Sequence, residues 1–306
     1  MKLIAARSHF PCHDHLFPIA EYILLNLNYK AEFLGNCSIR GTRRVYCSIA
    51  ISARMVAPMV RYVSECFIKP KYTREESEKP IYLTPWDLTM VFIHYIQKGF
   101  LFPNLPAFDT DQNHIQQLVE KLRESFSLAL VHFYPLAGRL ATMKCKGNPS
   151  NLVIYVDCNK GPGARFIHAS TDLTLDDILS PTDVPQVVRS FFDHDGSINY
   201  DGITKSLLTI QVTELTDVIF IGCSMNHMIG DGTSFWHFLN SWSEIFNSEG
   251  KKNIEISRPP IYEKLFPEGY GPIIRFHFLQ MMIMKKMKKQ SHRCSEREFS
   301  ISHQSR

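Results

Sequence analysis

The sequence predicts a layered fold of mixed helix and strand, α/β or α+β, with a sheet and helices packed on it. Three observations carry that expectation. At 306 residues, with 44% hydrophobic and 21% charged, the chain can bury a sizeable core. Apolar runs of strand length, such as VIFIGCSM at 218–225, are interspersed with longer stretches at helical spacing. Helices and strands mix without strict alternation and without an internal repeat.

Residues 1–58 come first and are the least regular. They are basic, poor in acids and without clear periodicity, and the apolar patch from Leu16 to Leu27 is interrupted by Pro18 and Glu21, so it makes a poor signal-peptide core. An unassigned basic extension is expected here; a disordered segment and an organelle transit segment both fit it. His9, Cys12, His13, Asp14 and His15 cluster within it, but no second ligand pair stands at a fixed spacing, so a solvated polar run and no metal are expected.

From Val60 the chain is organised. Val60 to Ile68 has strand composition and is closed by Lys69-Pro70. In LTPWDLTMVFIHYIQKGFLF, Thr84 reads as an N-cap, Pro85 as the first helical residue and Asp87 as a first-turn acid. Leu88, Val91, Phe92, Tyr95 and Ile96 follow at helical spacing, which predicts a helix running from Thr84 to a stop at Gly99. A second amphipathic helix begins near Asp111 with Ile115, Leu118, Val119, Leu122 and Phe126 on one face. Pro135 breaks it, and Gly138 allows a tight entry into the next strand. Strands are expected at Leu152–Asp157, Ala164–His168, Leu207–Glu214 and Val218–Met225, with short helical stretches near Leu175 and Val187. Residues 251–272, rich in Pro, Gly and charge, predict an extended crossover with few core contacts. FLQMMIMKKMKKQ beyond it predicts a covering helix with a solvated lysine face rather than a membrane-surface one.

Charge and cysteine usage exclude several classes. The net charge is +4, yet the first sixty residues hold seven Lys or Arg against three Asp or Glu, and the remainder carries 27 of each sign. No basic stripe with interleaved aromatics occurs, so nucleic acid is not an expected partner. Eight cysteines with no CxxC pair suit reduced thiols in an intracellular compartment. No stretch reaches the length of a membrane span.

Chemistry concentrates at FIGCSMNHMIGDGTSFWHF, residues 220–238. His227 closes a strand, Gly230 and Gly232 permit tight backbone, and Asp231 precedes a helix with Phe235, Phe238, Leu239 and Trp242 on one face. A strand end is where side chains meet a cleft. Taken alone, HxxxDG is as well explained by Asp231 or Thr233 capping the helix and His227 as a turn residue. Cys223 and Ser224 suggest a covalent nucleophile, on opposite faces of the strand. Asp193, His194, Asp195 and Asp201 suggest a metal, but calcium-loop spacing fails after Gly196 and a polar loop is expected. His94 reads as pocket-lining or as a buried structural histidine.

Four segments in order, LTPWDL at 83–88, FYPLAGRL at 133–140, LLTIQVTEL through FLNSWSEI ending at 245, and RPP at 258–260, resemble the plant BAHD acyltransferases, the HxxxD-type family. Asn226 stands where the related peptide-synthetase condensation domains carry a second histidine, so the likeness is to the plant branch. The resemblance implies a chloramphenicol-acetyltransferase-like mixed sheet with flanking helices, the N-terminal half of a two-domain acyltransferase. It divides the chain into the extension 1–58, an acyltransferase domain at 59–248, a crossover at 249–275 and the start of a second domain at 276–306. Nothing in this sequence matches the family's DFGWG motif, so the chain is expected to be truncated. The resemblance also implies transfer from acyl-CoA, a cosubstrate with no tightly bound cofactor, to a hydroxyl or amine of a small-molecule acceptor. His227 is then the catalytic base, and Asp231 and Gly232 are structural, the aspartate through an ion pair with an arginine. A cytoplasmic monomer is expected, or a truncated non-catalytic relative that binds a ligand or partner.

Overall fold

The computed structural model describes residues 23–26, 59–103, 112–145, 151–181, 184–248, 255–266, 268–269, 274 and 276–277. The strands are β1 (Ile23–Asn26), β2 (Arg61–Ile68), β3 (Ile81–Tyr82), β4 (Ile96–Pro103), β5 (Arg139–Cys145), β6 (Asn151–Asp157), β7 (Ala164–Ser170), β8 (Leu208–Glu214), β9 (Val218–Met225) and β10 (Phe276–His277). The helices are α1 (Pro85–Thr89), α2 (Gln112–His132), α3 (Leu175–Leu179) and α4 (Gly232–Asn247). The His9–His15 cluster and FLQMMIMKKMKKQ lie outside the described residues. Within the extension left unassigned by the sequence, β1 forms an edge strand.

A six-stranded sheet runs in the order β1-β4-β9-β8-β7-β2. Its pairs are antiparallel except β7 with β8, which are parallel. A smaller antiparallel sheet gathers β3, β5 and β10 around β6. All eight residues of β9 are buried, because both of its faces are covered. Ile219, Ile221, Cys223 and Met225 face α2 and α4, while Phe220 packs with Phe191 and Phe192 on the opposite face. Phe126 of α2 is the hub on the helical side, with ring centroids of Trp242, Phe238 and Phe166 at 5.3, 6.1 and 6.3 Å. Trp242 Nε1 donates to Ser125 Oγ across that seam at 2.9 Å, so the buried indole N–H is satisfied.

The expected helix from Thr84 to Gly99 is a correction. Thr84 and Asp87 form a capping box and α1 starts as read, but it ends at Thr89 and residues 96–103 are strand β4. The carbonyls that would continue the helix are taken from outside. Asn199 Nδ2 donates to Met90 O, Tyr200 N to Val91 O and Asn199 N to Ile93 O, at 2.8–2.9 Å. A short apolar run has no period that separates buried strand from buried helix, and pairing with β9 decides it. Gly99 is not a helix stop. It faces Gly222 across the ladder, and a Cβ there would lie 2.0 Å from the Phe220 ring.

Past α4, residues 255–266 run without regular structure. Residues 260, 262, 264 and 266 are half-buried while 261, 263 and 265 are exposed. Tyr262 packs on Tyr134 and donates to His132 O at 3.0 Å, and Lys264 pairs with Asp87. The stretch is extended as expected, yet Ile256 is inserted in the α2/α4 core. β10, where the sequence puts the start of a second domain, pairs with β6.

Candidate active site

His227 sits between the end of β9 and the start of α4, as the alternation of β9 and the cap before α4 predict. It is half-buried. Its Nδ1 is buried and has no hydrogen-bond partner among the described residues, a state that native interiors rarely leave unexplained. Its backbone N–H donates to Asn199 Oδ1 at 2.7 Å. Neither of the two concavities described among these residues includes His227. One, of about 890 Å³, follows the charged face of α2 past Lys71, His114 and Arg123, and the other is a small apolar gap between α4 and β4.

The turn holding His227 is surrounded by satisfied polar groups. Asn226 and Asn199 are fully buried, and Asn226 Nδ2 donates to Asn199 O at 2.7 Å. Tyr95 donates its hydroxyl to Ser206 O, and Arg139 of the PLAGR segment reaches Ser206 Oγ at 3.2 Å. Arg139 also donates to the carbonyls of Gly138 and Gly163. Its guanidinium is therefore consumed in fixing strand ends. Sequence reasoning missed Asn199, Tyr95 and Arg139 as members of this cluster, because the contacts join positions from 24 to 111 residues apart that no local pattern links.

Asp231 is exposed and turned outward. It is the N-cap of α4, accepting from Ser234 N at 2.8 Å and Ser234 Oγ at 2.9 Å. The Ser234 amide holds the Asp231 carboxyl below the usual range. Among the described residues it forms no ion pair with an arginine. Gly230 is sterically required, since a Cβ would lie 2.6 Å from Ser234 Cβ, whereas a Cβ at Gly232 meets nothing within 4 Å. The steric need for glycine in this turn therefore falls on Gly230.

The competing candidates separate. Cys223 is fully buried in the core, and that burial pushes its thiol strongly up, which disfavours the thiolate a nucleophile needs. Ser224 is buried on the opposite face and donates to Asp193 O at 2.7 Å, its proton already committed. Asp193 pairs with Arg165, Asp195 with Arg189, and Asp201 caps the turn at Ile198. Among the described residues no three His, Cys, Asp or Glu gather as a metal site would need. His94 bridges Ile198, with Nδ1 3.3 Å from Ser197 O, so it flanks the segment whose next residue is Asn199.

With this geometry in place, comparison with known proteins bears on the family. A sequence model described as the Transferase family matches residues 59–300. The chain belongs to this family, the BAHD acyltransferases. It is 35% identical over 212 residues to an uncharacterized acetyltransferase of Arabidopsis thaliana, covering 69% of this chain and 45% of that one. It is 32% identical over 191 residues to the BAHD acyltransferase DCR of the same plant, covering 61% and 38%. The BAHD chain therefore spans less than half the length of these relatives. Vinorine synthase, a solved structure, aligns at 23% identity with a TM-score of 0.49, over 68% of this chain and 49% of that one. No described helix of this BAHD acyltransferase is long and apolar enough to cross a membrane.

Proposed function

We propose that this BAHD chain takes part in acyl transfer from acyl-CoA to a hydroxyl or amine of a small-molecule acceptor, with His227 as the general base. The observation that carries the reading is the half-buried imidazole at the β9 end, held by its backbone, whose buried Nδ1 has no hydrogen-bond partner among the described residues. A neutral imidazole has one ring nitrogen without a proton, which can act as a base. It accepts the acceptor's proton as the oxygen or nitrogen bonds to the thioester carbonyl carbon. As the tetrahedral adduct collapses, the carbon–sulfur bond breaks and the imidazolium proton passes to the departing thiolate. Asp231 supports this by capping α4 rather than by touching the ring, and acyl-CoA enters as cosubstrate.

A second reading is a relative that binds a ligand or partner without turnover; neither concavity described among these residues includes His227. An assay with common acyl-CoAs and phenolic, alcohol and amine acceptors separates the two. Under the first, His227→Ala lowers turnover by about 10²–10⁴-fold and Cys223→Ala has little effect. A dead cysteine variant beside an active histidine variant would replace the base with a covalent route. Absence of transfer by the unmodified chain supports the second reading.

A further inference from the structure

We infer that the carboxamides of Asn199 and Asn226 form the positioning device of His227, clamping its backbone from both sides while leaving its ring unbound. The effect on turnover rests on the general-base reading; the clamp itself does not. Both side chains are fully buried, which is costly unless their donors and acceptors are met. Asn199 accepts from the His227 amide through Oδ1 and donates through Nδ2 to Met90 O at 2.8 Å. Its backbone donates to Ile93 O and accepts from Asn226 Nδ2. Asn226 accepts from Met228 N through Oδ1 at 3.1 Å, donates its own N–H to Leu207 O at 2.8 Å and accepts from Ile229 N. The residues before and after His227, and His227 itself, are thus each tied to this pair.

The residue type follows from the geometry. Each side chain must donate at one end and accept at the other within one short planar group, which only a carboxamide does at that length. Gly202 clears the space, since a Cβ there would lie 2.8 Å from Asn226 Nδ2 and 2.7 Å from Leu207 Cδ2. The far side is braced by Ser206, which receives both the Tyr95 hydroxyl and the Arg139 guanidinium immediately before Leu207. Sequence segments around 90–95, 139, 199–207 and 226–229 converge on one backbone, and none of these described bonds goes to the His227 imidazole. A fixed backbone with an uncommitted ring is what a base needs to meet its substrate in one orientation.

The test reads the clamp directly in the 306-residue chain. Amide hydrogen exchange of His227 is followed by NMR, its signal assigned by its loss in His227→Ala. Asn199→Asp keeps the acceptor for that amide and loses the donor to Met90; Asn199→Leu removes both; Gly202→Ala displaces Asn226. The expected result is a protected His227 amide in the unmodified chain and in Asn199→Asp, with exchange at least about tenfold faster in Asn199→Leu and Gly202→Ala. Where Asn199→Leu does not fold, the unmodified chain, Asn199→Asp and Gly202→Ala decide. An unprotected His227 amide in the unmodified chain, or unchanged protection in Gly202→Ala, overturns the inference. Where acyl transfer is measurable, Asn199→Leu lowers kcat on the order of 10²-fold with KM within about twofold, and Asn199→Asp recovers most of it. His227→Ala with full turnover would defeat the general-base reading instead, and leaves the exchange result to judge the clamp.

Discussion

At the scale of the residue, HxxxDG sets a half-buried imidazole, its buried Nδ1 without a hydrogen-bond partner among the described residues, beside a carboxylate spent on a helix. Asp231 caps α4, so Asp231→Ala should cost about 1 kcal/mol of stability in chemical denaturation while leaving the β9 ladder intact. A nearby histidine makes a pH prediction. Burial pushes His194 down to about 4, opposed by Asp193 and reinforced by Lys205, Arg165 and Arg139. The unfolded chain takes up that proton near ~6.5, so stability is full above this value and declines as pH falls toward 4. His194 also has φ 62°, a left-handed conformation that asparagine tolerates. Thermal melts of His194→Asn should show a flatter slope between pH 6.5 and 4 than the unmodified chain; an identical slope would refute the buried neutral imidazole.

At the scale of the element, β9, α2 and the cap of α1 were legible because each carries its own period or its own cap. β9 was read to its end residues, since a continuous apolar run bounded by Thr216-Asp217 and Asn226 admits little else. β4 was not legible. Its residues satisfy a helical pattern as well as a strand one, and only the bonds from Asn199 and Tyr200 and the ladder to β9 choose between them. Gly99 tests that choice. In a helix, alanine at 99 would stabilise; in this ladder its Cβ collides with Phe220, so Gly99→Ala should destabilise by about 1–3 kcal/mol in urea unfolding.

At the scale of the molecule, the extended stretch after α4 straps the two sheets' helices together. Tyr262→Ala removes the contact with Tyr134 and the bond to His132 O, and should cost about 3 kcal/mol by calorimetry. The same strap turns Ile261 and Leu265 outward at 86% and 89% exposure, and Trp86 of α1 is 72% exposed. Apolar side chains so presented favour association. Sedimentation should show concentration-dependent self-association of the chain, reduced by the Ile261→Ser, Leu265→Ser pair; a monodisperse monomer at all concentrations would contradict it.

The sequence by itself determined the family and the position of His227 at a strand end, because motif order and a bounded apolar run are local patterns written over a few residues; it left the cap of α4 open between Asp231 and Thr233, and the structure gives it to Asp231. Only the tertiary structure decided that residues 96–103 are a strand, that Gly230 rather than Gly232 is sterically bound, and that Arg139, Tyr95, Asn199 and Asn226 meet around one turn. Those outcomes depend on which distant carbonyl or ring occupies the space beside a residue. A buried donor takes the partner that the packing brings to it, and no spacing along the chain records that choice.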